Sequence, residues 1–357
     1  MRTRYEKSRR HLRRVPQNQA PRTTAPVQSP EVPRAEVGVP WFAKAAAWSG
    51  MKIALYDVDS KFPNLALMKL AQFHKNQGDI VESFFPLAMA SYDKIYASKV
   101  FDFSEGIYLD PERMEIGGTG VDLTKALSPE IESLRPDYSL YPHFEGNLGF
   151  TMRGCRFRCD FCVVPRKEGQ PYSTHTIADL MVQDSDFLIL LDSDPFGNPD
   201  WPDRFAEIRS RNLRVNFSQG INIRIITEEQ ADALSSVRFT NSSGKYHQAT
   251  FAWDRPRDER LILRGIERCK EAGIKPWQMQ FFILIGFDST HEENLHRVQM
   301  ILDKGSDPYV MPYDKHDLYQ SAFARWVNRR LCKTVPWKDY RQGSWKGEQR
   351  LHPTDPI

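Results

Sequence analysis

No stretch of this 357-residue sequence approaches the roughly 18 consecutive apolar residues of a membrane-spanning helix. A soluble protein is expected. The N-terminus also lacks the apolar segment of a secretory signal, because its arginines lead into polar, Pro-containing sequence. Cysteine is scarce and odd in number: there are five, and three of them fall between 155 and 162. That argues against a secreted disulfide framework, which spreads an even set along a short chain. It points instead to reduced thiols serving a metal in a reducing cytoplasm. An excess of one charge is missing from the body of the chain as well. The formal net charge is +3, but residues 1–50 hold ten Lys/Arg against three Asp/Glu, which leaves 39 against 43 for 51–357. The body therefore offers no general electrostatic case for nucleic-acid binding. Apolar and aromatic residues are plentiful. With 40% hydrophobic residues, 21 Phe, 13 Tyr and 8 Trp, the chain can fill two domains, or one large α/β domain with an extension.

Residues 1–50 contain six prolines and little hydrophobic periodicity, which predicts a disordered basic extension. The order-promoting pattern begins at Met51, which suggests a biological start there; an Arg-rich transit peptide is the alternative. From 51 to 142 a small α/β domain is expected. It has strands at 53–58 and 94–98, a helix over 64–76 ending near Gly78, and a tight turn at Gly117-Gly118-Thr119-Gly120. Strand candidates then follow at 148–152, 187–192, 213–217, 237–239, 250–253 and 280–285. The helices between them carry start signals, Thr227 with Gln230 and Thr290 with Glu293, and stop signals at Gly273 and Gly305. Repeated βα units predict a parallel sheet over 143–312, open or curled into a barrel. A helical extension and tail are expected over 313–357.

The chemistry-bearing segment is Gly154-Cys155-Arg156-Phe157-Arg158-Cys159-Asp160-Phe161-Cys162. Iron–sulfur clusters are held by Cys thiolates, and short spacings let one loop wrap a compact cube. Three ligands leave one iron of a four-iron cluster without a protein partner, open to a substrate or cofactor. Arg153, Arg156 and Arg158 are expected to surround the thiolates and favour deprotonation. A structural zinc site is the rival, although zinc usually takes four Cys/His ligands in pairs. His175 is the nearest histidine after the loop, and no second Cys pair follows. Cys269 and Cys332 are expected to be ordinary buried thiols.

The C-x3-C-x2-C spacing, with Phe161 before the third cysteine, resembles the radical S-adenosylmethionine superfamily. The resemblance implies a 4Fe-4S cluster on Cys155, Cys159 and Cys162, with the open iron chelating S-adenosylmethionine. One electron, from a flavodoxin- or ferredoxin-type reductant, would cleave the sulfonium. The resulting deoxyadenosyl radical would abstract a substrate hydrogen, a chemistry that belongs to the cofactor while the protein orients it. The implied fold is a partial (β/α)6 TIM-like barrel, preceded by a small flavodoxin-like, cobalamin-binding-like α/β domain. In such folds ligands collect at the carboxyl ends of strands. Asp192 and Asp194 close the second strand, where the superfamily places groups for the cofactor's amino nitrogen; a turn before Pro195 explains them equally. Gln219 and Asn222 would bond ribose hydroxyls, and Arg224 would clamp the carboxylate, although the family pattern carries Asp where Asn222 stands. Gly286 would let backbone approach the adenine, with strand-end packing as the alternative.

Segments such as Phe62-Pro63-Asn64-Leu65, Phe251-Ala252-Trp253-Asp254-Arg255-Pro256 and Asp307-Pro308-Tyr309-Val310-Met311 extend the resemblance over roughly 51–340, to an uncharacterised bacterial and phage-associated branch. In related families the preceding domain binds cobalamin through D-x-H-x-x-G. Here that run is Asp57-Val58-Asp59-Ser60-Lys61-Phe62, with Asp59 at the histidine position. A degenerate or substrate-contacting domain is therefore favoured over a working cobalamin site. The rivals are a cobalamin-dependent methyltransferase of the same superfamily, a non-catalytic iron–sulfur or zinc protein, and a nucleic-acid-associated protein. The last would use the basic tail, and aromatics interleaved with Arg and Lys over 326–345 keep it open, although a solvated terminal helix explains them as well. No His, Lys or Tyr stands out as a substrate acid or base.

Overall fold

The computed structural model describes residues 50–341. The expected basic extension, apart from Gly50, and the end of the tail, including Trp345, lie outside the described residues.

The chain first builds β1 (Lys52–Asp57), α1 (Leu65–Asn76), β2 (Ile80–Ser83), β3 (Lys94–Ser98) and β4 (Met114–Gly117). These strands form an all-parallel sheet in the order β2-β1-β3-β4. Alternation along β1 explains its place at the centre: Ile53 and Leu55 pack on α1 through Leu67, Leu70 and Ala71, while Ala54 faces Ile95, Ala97 and Met114. The helix starts at Asn64, whose side-chain oxygen accepts the Leu67 amide, a standard N-cap. His74 on the buried side of α1 links Asp79, 2.7 Å away, to the Tyr96 hydroxyl at 3.0 Å. Strands β2 and β4 were not expected from the sequence. Ile80 is 61% exposed, so the edge strand β2 carries too little apolar alternation to be visible. A short helix α2 (Pro129–Glu132) closes this part.

The second part begins with β5 (Asn147–Gly149), β6 (Met152–Arg153), α3 (Val164–Lys167), β7 (Tyr172–Ser173), α4 (Ile177–Leu180) and β8 (Phe187–Leu190). It continues with α5 (Trp201–Ser210), β9 (Arg214–Phe217), α6 (Glu228–Ser235), β10 (Arg238–Phe239), β11 (Ala249–Trp253) and α7 (Glu259–Glu271). It ends with β12 (Met279–Ile285), α8 (His291–Asp303), β13 (Asp307–Pro312) and α9 (Leu318–Asn328). Two parallel sheets result, in the orders β10-β9-β8-β5 and β11-β12-β13. A single parallel bridge, Ile221 to Phe251, connects them. Both expected capping boxes are present, Thr227 with Gln230 and Thr290 with Glu293.

Three differences from the sequence reading have physical causes. The expected strand 148–152 breaks after Gly149, because the Thr151 and Met152 amides donate to the Asp192 carboxylate instead of a ladder. The additional strand β13 carries Pro308 and Pro312, which obscure a strand pattern in sequence. Of the aromatics interleaved with basic residues over 326–345, the described Trp326, Trp337 and Tyr340 belong to the core: Trp326 and Trp337 are each 3% exposed, so their rings offer no stacking platform. Among the described residues, no helix is long and apolar enough to cross a membrane.

The inner side of β5 and β8 is covered by the first part of the chain. Leu148, Phe187 and Ile189 pack with Phe62, Leu65, Tyr138 and Phe144. At the opposite edge, Asn328 of α9 caps the Val310 amide and carbonyl of β13 at 2.8 and 2.9 Å, while the Tyr309 and Met311 side chains are 37% and 44% exposed.

Candidate functional site

The three cysteines lie in the excursion between β6 and β7, which pair antiparallel. Gly154 opens the loop at φ +78°, a left-handed conformation that disfavours any side chain, and a Cβ there would overlap the Gln170 carbonyl oxygen. Its amide donates to Glu168 Oε2 at 3.0 Å, and the Cys155 amide donates to the Gly169 carbonyl at 3.1 Å. A turn from the Cys162 amide to the Cys159 carbonyl, 2.9 Å, brings the last two cysteines close. All three thiols are half-buried, and Cys159 and Cys162 line a cavity of about 460 Å3.

The loop is fastened at four points. Asp194, 1% exposed, holds Arg156 Nε at 2.6 Å. Arg255 reaches Asp160 at 2.7 Å from the carboxyl end of β11. The Phe161 ring meets Phe287, just beyond β12, edge-on with centroids 5.6 Å apart. Lys167 donates to the Thr119 hydroxyl, so the Gly117–Gly120 turn after β4 stands against the loop.

The expectation that three arginines ease thiol deprotonation is corrected by these pairings. Arg153 is held by Glu168 at 2.9 Å and Glu132 at 3.1 Å, and Arg156 is neutralised by Asp194. Arg158 is exposed, with no partner among the described residues. Burial pushes the Cys155 thiol up to about 11, with the negative field of Asp194 adding to it. Cys159 is also raised, by burial and then by Asp254. A metal would have to drive thiolate formation itself, as coordination does.

The remaining expected residues have varied surroundings. Asp192 is 2% exposed; its Oδ1 accepts the Thr151 amide at 2.7 Å and the Met152 amide at 3.2 Å, and its Oδ2 accepts the Thr151 hydroxyl. Burial nevertheless lifts its carboxyl to about 6. Both oxygens are thus engaged in holding the approach to the cysteine loop. Gln219 is exposed after β9, its side chain near only Ser218. Asn222 caps Arg224, accepting from its backbone amide at 3.3 Å and its Nε at 3.1 Å. Arg224 donates to Asp258 at 2.8 Å and stands 5.4 Å over the Phe157 ring of the cysteine loop. The space a side chain would need at Gly286, φ +83°, is filled by Gln320. Cys269 is fully buried on α7, its thiol pushed up to about 12 by burial, and Cys332 is half-buried; neither is on the loop.

One residue was not singled out as a site from sequence: Asp254, one position past β11. No donor among the described residues reaches its carboxylate. Burial raises it to about 6, against the opposing influence of Arg224 and Arg297. The fully buried Arg297 ties the Trp253, Asp254 and Leu284 carbonyls together and so fixes the ends of β11 and β12. Its position at a parallel strand end was the available signal.

The donor set fits an iron–sulfur cluster: three soft thiols on one loop beside an open cavity. His175 donates to the Phe150 carbonyl at 3.2 Å rather than completing a quartet. Among the described residues, no three Cys, His, Asp or Glu side chains are gathered tightly enough for a single metal ion. A comparison with curated proteins returned no match. Residues 150–301 match the family model of the Radical SAM superfamily, which implies a 4Fe-4S cluster, S-adenosylmethionine and a reductant. The protein is therefore an enzyme that carries a radical SAM superfamily domain at residues 150–301, its substrate unspecified.

Proposed function

We propose that Cys155, Cys159 and Cys162 hold a 4Fe-4S cluster and that the protein reductively cleaves S-adenosylmethionine to act on a substrate through a deoxyadenosyl radical. The observation that carries this reading is the three-thiol loop, opened by Gly154 and set at the carboxyl ends of parallel strands. When bound, cluster and cofactor supply the radical chemistry. The chain's own residues position them. Asp194 and Arg255 hold the loop's two sides through Arg156 and Asp160. Arg224, oriented by Asn222 and Asp258, offers a guanidinium to a carboxylate. Asp254 offers a free acceptor to the cofactor's amino or hydroxyl donors. Asp192 supports the strand end from behind rather than touching the cofactor.

In this reading the two core sheets act together as a partial barrel over 143–312, which the Ile221–Phe251 bridge supports. The part over 51–142 is a flavodoxin-like domain; its strand order β2-β1-β3-β4 is that of the first four flavodoxin strands. We read it as substrate-contacting and without cobalamin, because Asp59 directs its two oxygens to the Val100 and Phe101 amides at 2.7 and 2.9 Å.

The test is anaerobic reconstitution with iron and sulfide, then reduction with S-adenosylmethionine present. Wild-type protein should release deoxyadenosine, and Cys155→Ala, Cys159→Ala and Cys162→Ala should each lose both cluster absorbance and product. Stoichiometric zinc with no cofactor cleavage would sink the reading. Cobalamin carried through purification would favour the methyltransferase instead.

A further inference from the structure

Alternation sorts the side chains of the core strands onto two faces. Val215 and Phe217 of β9, Phe239 of β10, Phe281 and Ile283 of β12 and Val310 of β13 join the helix-covered core. The residues between them point the other way, to the inner face: Asn216 on β9, Phe282 and Leu284 on β12, Tyr309 and Met311 on β13. Thr240 joins them. Its amide extends the β10–β9 ladder by donating to the Val215 carbonyl at 2.7 Å, so it stands beside Asn216. Asn216 and Thr240 are 2% and 7% exposed, and each holds a buried oxygen, Oδ1 and Oγ1, with no hydrogen-bond partner among the described residues. Asn216 Nδ2 donates to the Thr240 carbonyl at 2.8 Å, which leaves the amide oxygen as the unsatisfied atom. The other two such atoms are the Nε of Arg204 and of Arg297, on guanidinium groups whose remaining nitrogens donate elsewhere. Two orphaned oxygens side by side call for a donor that the chain does not supply.

On the other sheet the inner face is apolar and accessible. The Phe282 and Tyr309 rings meet with centroids 5.5 Å apart, and Tyr309 and Met311 keep much of their surface exposed. Charge is already spoken for beside the polar pair: Arg214 and Arg238, two residues earlier on the same strands, both pair with Asp186. We propose that this inner face takes the substrate as an uncharged primary amide with an aromatic or aliphatic body. The body lies against Phe282, Tyr309 and Met311, and the two amide N–H groups meet Asn216 Oδ1 and Thr240 Oγ1. The inference rests on the function just proposed, including its reading of the two sheets as one partial barrel. An apolar wall with a few placed polar groups is the ordinary build of a small-molecule site. The orphaned oxygens add selectivity, because an analogue without a donor leaves them unpaired.

The experiment titrates phenylacetamide into the full chain, with its cluster reconstituted and S-adenosylmethionine present, and reads binding by ligand-observed NMR. N,N-dimethylphenylacetamide lacks the N–H groups and phenylacetate carries a charge; each should bind about tenfold more weakly. Asn216→Leu and Thr240→Val should each bring the two amides to the same affinity while iron content stays at the wild-type value. Thr240→Val keeps the Thr240 carbonyl for Asn216, so it decides the matter if Asn216→Leu loses iron. Met311→Ala should weaken both amides alike. The proposal is overturned if phenylacetamide does not bind, if wild type holds the two amides equally, or if the variants keep the preference. In that last case the two oxygens hold internal water alone. Binding needs no reduction, so the two readings separate. Deoxyadenosine released with dithionite but no amide binding sinks this proposal alone. Amide binding without any deoxyadenosine sinks the radical function and leaves the amide site standing.

Discussion

At the carboxyl end of β1, Asp57 and Asp59 are surrounded by their own chain. Asp57 takes the Tyr141 hydroxyl at 2.7 Å and the Ser60 amide at 3.0 Å, and Asp59 caps the Val100 and Phe101 amides. At the carboxyl end of β11, Asp254 is equally an acid past a buried parallel strand, yet no described donor reaches it. The difference is where the backbone amides go. In the first sheet the loop after β3 folds back and presents its free amides to Asp59. In the core, the chain after β11 runs into a short turn at Pro256–Asp258, and its polar groups serve Arg224 instead. A half-buried carboxylate that burial pushes up and no described donor satisfies is the kind of group that gathers where a ligand is to be met. The first edge is closed; the second is open.

This contrast can be broken experimentally. The largest effect is expected from Gly154→Ala, which combines left-handed backbone strain with overlap on the Gln170 carbonyl. Iron incorporated on reconstitution should fall to about a tenth of wild type. Asp254→Asn should keep the cluster absorbance while deoxyadenosine release drops by about tenfold, as expected for one lost charge-assisted contact. The wild-type rate should also fall as pH drops through about 6, where Asp254 protonates, and the Asn variant should lack that limb. If the two proteins share one pH profile, Asp254 is not the open acceptor.

Smaller effects concern stability. Asp192→Asn should cost about 1–3 kcal/mol in urea denaturation at pH 5, since three donors lose the carboxylate they share. The pH dependence has a defined sign. Burial lifts the folded carboxyl to about 6, above its ordinary value of 3.8, so the native state binds more protons between those values. The Asp192 contribution is therefore largest below that window and is lost as pH rises through about 6. The stability difference between wild type and variant should narrow in that direction. Asp59→Ala should cost about 1–2 kcal/mol by removing a cap on two amides. It should leave iron content and deoxyadenosine release unchanged. A loss of activity matching that of Asp254→Asn would show that the two edges are not different after all.

Some of this organisation was legible in the residues. The capping boxes at Thr227 and Thr290 were readable because their partners lie three residues away. The cysteine spacing was readable because cluster ligation needs three sulfurs on one short loop. Strands β1 and β3 stood out through dense apolar runs, whereas β2, with Ile80 and Ser83 exposed, did not. The arginines around the cysteines misled, because the acids that engage Arg153 and Arg156 lie at Glu132 and Asp194, far along the chain. Trp326 and Trp337 misled for the same reason: interleaving with basic residues says nothing about which face is turned inward.

By itself the sequence determined the elements with local causes: the caps, the central strands and a three-thiol loop begun by a glycine. Only the tertiary structure decided which polar groups are engaged and which are left open. Asp192, Asp194 and Asp59 are occupied by donors that distant segments bring to them, while the half-buried Asp254 carboxylate is left without a described donor. Hydrogen bonding and burial are properties of neighbours in space, and the neighbours of a strand end come from other strands.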